Sequence, residues 1–192
     1  MNEPLHLALD AERAVRQVAS GDLDELYALQ LANREHLAPW MPWAEQLDRD
    51  QTAAFLAQAE QQAAREDGVH CAITHAGDMV GIIGFHYVNR IHLATSIGYW
   101  LAADAQGRGT MTLALATLVD HAFEAWGMHR LEMQAAVDNV RSRAVAERLG
   151  FVHEGVLRQA ERFATRYADL DVFSVLEPEW RITRDRTAAP GR

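Results

Sequence analysis

Lysine is missing altogether from the 192-residue chain: all 18 basic residues are arginines, set against 27 acids for a formal net charge of -9. That absence excludes lysine-dependent chemistry. A Walker-type phosphate loop, a pyridoxal-phosphate enzyme and a Schiff-base aldolase each need a lysine amine. The acidic balance also speaks against nucleic acid as a partner, because such surfaces use clustered cations to displace counterions. Cysteine is nearly absent, and the one thiol, Cys71, has no partner for an internal disulfide. No charged-then-apolar segment occupies Met1 to Leu9, so a cytoplasmic protein is expected. Long apolar runs are lacking too. Met79 to Phe85 is interrupted by Gly81 and Gly84 and falls far short of the roughly 18 residues of a membrane span, so no membrane contact is expected. The nine histidines show no metal-ligand spacing, and no metal is expected.

What is present fits one domain. With 49% hydrophobic and 23% charged residues, the chain can bury one full core but not two, and residues 1–182 read as a single domain followed by a frayed tail over 183–192. The first third reads as helical. Leucines recur from Asp22 to Leu37, with Ser20 or Asp22 available as cap, Pro39 and Pro42 break the pattern, and a second helix runs from Asp50 to Glu66. Val69 to Thr74 and Met79 to Val88 form an expected hairpin around Ala76-Gly77-Asp78, followed by a strand from Thr95 to Leu101. From Thr110 the apolar spacing becomes helical, through Met111, Leu115, Leu118, Val119 and Ala122. Leu131 to Val137 alternates as a strand expected to return beside Tyr99 to Leu101 through this helical crossover. A short helix over Ser142 to Leu149 and strands over Phe151 to Arg158 and Tyr167 to Leu176 complete a mixed α/β (α+β) pattern: a central mixed sheet, mostly antiparallel in its N-terminal half, with helices on both faces.

The chemistry concentrates between Leu101 and Thr110, where a strand feeds a helix through Gln106-Gly107-Arg108-Gly109. Amides at a helix N-terminus are unpaired, the helix dipole adds positive potential, and glycines let a phosphate approach the main chain. The segment is neither a Walker loop nor a dinucleotide fingerprint, lacking the lysine of one and the third glycine of the other. Read alone, it is either a pyrophosphate cradle or an ordinary glycine turn before a helix.

Together with its neighbours, this loop resembles the GCN5-related N-acetyltransferases, whose acyl-CoA loop follows Gln/Arg-x-x-Gly-x-Gly/Ala. Gln106 and Gly109 stand in register, and Met111 replaces the last small residue. Ile97-Gly98-Tyr99-Trp100-Leu101, Val137-Asp138-Asn139 with Ser142, Leu149-Gly150-Phe151 and Leu37-Ala38-Pro39-Trp40-Met41-Pro42-Trp43 are similar to the branch that acetylates ribosomal-protein N-termini. The likeness runs from about Leu5 to Leu176.

The resemblance implies a single acetyltransferase domain with a strand-loop-helix acyl-CoA site and acetyl-CoA as co-substrate. It places the CoA pyrophosphate on Gln106, Gly107, Arg108, Gly109, Thr110 and Met111, and the pantetheine arm along Leu101, Ala102 and Ala103, where two parallel strands splay. Asn139 is implied as a cofactor contact, Ser142 as the acid that protonates the departing sulfur, Glu161 as the base that assists the amine, and Trp40 and Trp43 as acceptor-side residues. A homodimer is compatible with the family. The residues themselves leave alternatives: Ser142 as a helix N-cap, Asn139 as a strand end, Glu161 as a surface partner of Arg158 or Arg162, and the two tryptophans as core packing.

The acceptor implied is an amine. An α-amino group, with a pKa of about 7.7 to 8.0 against about 10.4 for lysine, is deprotonated far more often near neutrality, so a weak base suffices. A protein N-terminus is the leading acceptor, a small amine such as an antibiotic, polyamine or aminoacyl nucleotide the second, and a non-catalytic acyl-CoA module the third. Charge is uneven along the chain: residues 1–67 carry 13 acids and 5 arginines, the remainder 14 and 13. This gradient is expected to draw a cationic acceptor.

Overall fold

Ala72 and Ile73 are chain neighbours without exposed surface, yet they enter two different cores. Successive strand residues point to opposite faces, so each core lies on its own side of a sheet. The structure is a computed structural model describing residues 3–188. Its elements are β1 (His6–Ala8), β2 (Arg13–Gln17), α1 (Leu23–Ala32), α2 (Arg34–Leu37), α3 (Arg49–Ala64), β3 (Val69–His75), β4 (Asp78–Asn89), β5 (Ala94–Leu101), α4 (Thr110–Glu124), β6 (Arg130–Ala136), α5 (Val140–Arg148), β7 (Val152–Arg162), β8 (Tyr167–Leu176) and α6 (Glu177–Ala188). They build one eight-stranded sheet in the order β1-β2-β3-β4-β5-β6-β8-β7. All neighbours are antiparallel except β5 and β6, which run parallel.

The larger core packs Leu115, Leu118 and Val119 of α4 with Ile83, Phe85, Ile97, Met133 and Phe173 of the strands. Burial of each such side chain contributes roughly 1.5–3 kcal/mol. On the other face, Leu26 of α1 and Leu56 of α3 meet Ala72, Ile82 and Trp100. Double coverage explains why β3 and β4 read as nearly continuous apolar runs. It also seals the Cys71 thiol, which is fully buried on β3 between Gln17 and Ile83, where burial pushes it up to about 12.

The mixed sheet, the hairpin, the α4 crossover and the helices on both faces agree with the sequence reading, and five details differ. The first third is not purely helical, since β1 and β2 precede α1. Only Val15 of β2 is buried, so its alternation was faint, and pairing with β3 defines it. The helix expected over Asp22 to Leu37 breaks at Asn33, whose side chain is committed elsewhere: Nδ2 donates to the Leu29 carbonyl and Oδ1 accepts from the Ala103 amide at 2.9 Å. Asp22 precedes α1 without capping it, because its carboxylate holds Arg16 at 2.8 and 2.9 Å. Nor does β6 pair beside Tyr99 to Leu101; the parallel ladder runs only from Ala94↔Arg130 to Ile97↔Met133. At the C-terminus α6 continues to Ala188 through the segment expected as tail, docked by a buried Trp180 whose indole donates to Asp120 at 2.7 Å; residues 189–192 of that expected tail lie outside the described residues. No helix among the described residues is long and apolar enough to cross a membrane.

Candidate active site

Beyond Ile97 and Met133 the two parallel strands separate, each continuing with its other neighbour: β5 with β4 up to Leu101, β6 with β8 up to Ala136. The edge of β5 that faced β6 is left without a strand partner, and such an edge recruits any extended group offering donors and acceptors. At its end the chain is pinned from behind. The Ala102 amide donates to the Val80 carbonyl at 2.8 Å and the Ala103 amide to Asn33 Oδ1, so these two donors are already used, and the Gln106 side chain donates weakly to the Leu101 carbonyl at 3.4 Å.

After a short turn over Ala103–Ala105 the loop reverses through Gly107 and Gly109, with φ of 75° and 73°. An L side chain is strained there, and the space a Cβ would enter is empty at both positions. Gly109 caps α4, whose first internal bond runs from the Leu113 amide to the Gly109 carbonyl at 3.0 Å. The amides of Thr110, Met111 and Thr112 precede that bond and face outward as an anion site. Met111 is buried in the core, so its departure from a small residue fills the helix's inner face while its amide stays at the helix start.

Arginines from two elements converge here. Arg13 of β2 donates to Thr110 Oγ1 at 3.0 Å and the Arg108 carbonyl at 3.3 Å; Arg148 of α5 donates to Thr112 Oγ1 at 3.0 Å; Arg141 of α5 donates to Gln106 Oε1 at 2.5 Å. The Gln106 amide nitrogen lies 2.8 Å from His36 Nε2. These three guanidiniums are held against the cradle and Arg108 stands within its sequence, supplying the cationic field that a lysine-free chain must draw from arginine.

Across the splay stands the start of α5. Asn139 is its N-cap, its Oδ1 accepting from the Ser142 amide at 3.1 Å. Ser142 is therefore not the cap, and its hydroxyl is free of that duty. Ser142 Oγ lies 3.1 Å from the Tyr99 hydroxyl, whose one proton has a second acceptor in the Ser142 carbonyl at 3.3 Å. Burial pushes the Tyr99 phenol up to about 12, opposed by its hydrogen bond to Ser142.

Further along, a cleft of about 260 Å³ is lined by Trp40, Asp138, Gln159, Arg166, Tyr167 and Asp169, among others. A bulge shapes it: between Leu157↔Leu170 and Glu161↔Ala168, β7 has two more residues than β8, and Gln159 takes a φ of 52° while its amide donates to Asp169 Oδ1 at 2.7 Å. Glu161 follows the bulge. Burial raises its carboxyl above the ordinary glutamate range, partly offset by Arg166, and no salt bridge to Arg158 or Arg162 is found among the described residues. Arg166 and Ala164 tie the β7–β8 hairpin to the proline-broken segment, donating to the Pro39 carbonyl at 2.7 Å and to Glu45 Oε2 at 3.1 Å. The two tryptophans divide. Trp40 lines the cleft, whereas Trp43 packs on Trp100 with ring centroids 6.0 Å apart, against the smaller core.

Known proteins are similar to this chain in sequence and fold. A family model described as acetyltransferase (GNAT) domain matches residues 14–152. The chain belongs to the GNAT acetyltransferase family. Its relatives include YdaF of Bacillus subtilis (strain 168), provisionally named a ribosomal N-acetyltransferase, 31% identical over 86% of this chain and 92% of the relative. Among solved structures, RimL, the ribosomal L7/L12 alpha-N-protein acetyltransferase, in complex with coenzyme A superposes with a TM-score of 0.85 at 25% identity, covering 90% of this chain and 98% of that one. The microcin C7 self-immunity acetyltransferase MccE, in complex with acetyl-CoA and AMP, gives 0.82 at 27% identity over 88% and 94%. This GNAT chain is thus an N-acetyltransferase of the branch that contains the ribosomal-protein enzymes.

Sequence reasoning on the GNAT chain named the loop, Asn139, Ser142, Glu161 and Trp40, and missed their supports. Arg13, Arg141 and Arg148 lie far from the loop in sequence and carry no motif. Asn33 and His36 sat inside an expected helix. Tyr99 stood only within a strand and the segment that carries the family resemblance, with no role of its own, although alternation already put it on the face opposite Trp100.

Proposed function

We propose that this enzyme transfers acetyl from acetyl-CoA to the α-amino group of a protein N-terminus, of ribosomal-protein type, by direct attack within a ternary complex. The observation that carries the reading is the splay of β5 from β6: it leads from the α4 amides, past a Ser142 hydroxyl free of capping, toward the Trp40 cleft. The residues fit the co-substrate. Gly107 and Gly109 leave open space, the α4 amides with Arg13, Arg108, Arg141 and Arg148 suit a pyrophosphate, and the bare edge of β5 suits an amide-containing arm. Acetyl-CoA would supply an acetyl group already activated as a thioester.

The chain's own residues have two tasks. Glu161 takes a proton from the attacking amine, and its raised carboxyl is better matched to an α-amino group than an ordinary glutamate would be. Ser142 gives a proton to the departing sulfur. Trp40 and the acids Asp138 and Asp169 form the wall that receives the amine end. Similarity to RimL and YdaF supports a protein terminus as acceptor. A second reading, acetylation of a small amine, is favoured by the modest cleft volume and by the similarity to MccE.

Incubating the protein and acetyl-CoA with N-terminal peptides of ribosomal proteins and with free amines, and reading acetylated products by mass, separates the two. Peptide products at the α-amine are expected; products confined to free amines would overturn the first reading in favour of the second.

A further inference from the structure

We propose that Tyr99 is a positioning residue that acts through Ser142, fixing the serine hydroxyl so that its proton points into the splay toward the departing sulfur. The inference deepens the proposed acetyl transfer and rests on it. Tyr99 lies on β5 two residues past Ile97, the last residue of β5 that pairs with β6. Its side chain crosses from β5 to the first turn of α5, with the hydroxyl 3.1 Å from Ser142 Oγ and 3.3 Å from the Ser142 carbonyl. The body of the ring packs against the larger core, so the phenol cannot swing away without losing that packing.

A serine hydroxyl has one proton and three staggered orientations. On a helix its usual sink is a backbone carbonyl one turn back, a bond that points the proton along the helix. At Ser142 that outcome is disfavoured when the single Tyr99 proton goes to Oγ, at 3.1 Å the nearer of its two acceptors, and occupies a lone pair, leaving the serine proton directed away from the phenol. When the carbon-sulfur bond breaks, that proton passes to sulfur. Tyr99, still protonated, stabilises the oxygen that has lost it, and the serine recovers a proton from solvent after release. The amine proton leaves through Glu161, so the transfer balances as amine plus thioester to amide plus thiol.

The test is a double-mutant cycle of Tyr99→Phe and Ser142→Ala, with kcat and the acetyl-CoA KM measured on the best acceptor and CoA binding measured by titration. Tyr99→Phe removes one oxygen and keeps the ring. It is expected to lower kcat about 10-fold or more with KM and CoA affinity within about two-fold, and to have no further effect in the Ser142→Ala background. An equal loss in both backgrounds, or a loss carried by KM, overturns the proposal by showing that Tyr99 acts through packing. A Tyr99→Phe enzyme as fast as wild type overturns it as well. If Ser142→Ala is itself as fast as wild type, Tyr99 has no serine to act through and the proposal fails while acetyl transfer stands. Absence of transfer by wild type to any peptide or amine fails the functional reading instead, and Tyr99's role with it.

Discussion

The proposed cofactor side and the proposed acceptor side of this enzyme are built differently. Around the α4 start the recognition elements are backbone amides, left-handed glycines and an uncovered strand edge, set on a helix whose inner face is in the core. Around Trp40 they are side chains on an edge strand and a proline-broken segment: β7 is exposed along most of its length, and the cleft is closed by contacts such as Arg166 to Pro39, 127 residues apart. A backbone site recognises what every acyl-CoA shares. Side chains on an exposed edge can be exchanged without disturbing the core, so acceptor choice is free to vary while the donor site stays fixed.

Mutations should separate the two sides. The largest effect is expected where they meet: Ser142→Ala and Glu161→Gln should each lower kcat by about 10²–10³-fold, with CoA binding retained by titration. Gly109→Val comes next. A β-branched residue at a φ of 73° should weaken CoA binding about 10–100-fold and lower stability by roughly 1–3 kcal/mol, while acceptor KM stays put. The tryptophans should split as their surroundings do. Trp40→Ala is expected to raise acceptor KM about 3–10-fold at nearly unchanged melting temperature, and Trp43→Ala to cost about 2–3 kcal/mol through lost packing on Trp100. Equal behaviour of the two would erase that distinction.

Two smaller effects sharpen the acceptor side. In its proposed role as base Glu161 must be ionised, so activity is expected to fall as pH drops through its raised pKa. Arg166 opposes that rise, and Arg166→Ala should move the acid limb of kcat/KM to higher pH. Smallest is a screening effect. Asp138 and Asp169 line the cleft proposed to receive a cationic acceptor, and raising the salt should increase acceptor KM about two-fold; a flat response would remove electrostatic attraction from the account.

How much could be read from sequence follows the same division. The loop, the α4 stripe and the α5 cap are local: Gly107, Gly109 and Asn139 act within a few residues of where they stand. The acceptor side depends on pairings that no window reveals. Glu161 was reached by resemblance, but the bulge before it arises from the mismatch of β7 with β8, and the arginine ring needs β2 and α5 folded against the loop. The acidic excess of residues 1–67 also looked different folded. Asp22 is taken by Arg16, Asp24 by Arg49, Glu25 by the Met79 amide and Glu60 by Ser20, whereas the acids lining the cleft come from later in the chain.

The sealed Cys71 gives the molecule a built-in clock. With no exposed surface, a thiol pushed up to about 12 and a place in the larger core beneath α4, it can react with an alkylating reagent only after that core opens. Its labelling rate in the unmodified protein therefore times the opening of the sheet's interior, and comparing that rate with and without CoA would show whether a ligand seated at the rim of β5 steadies strands two positions away.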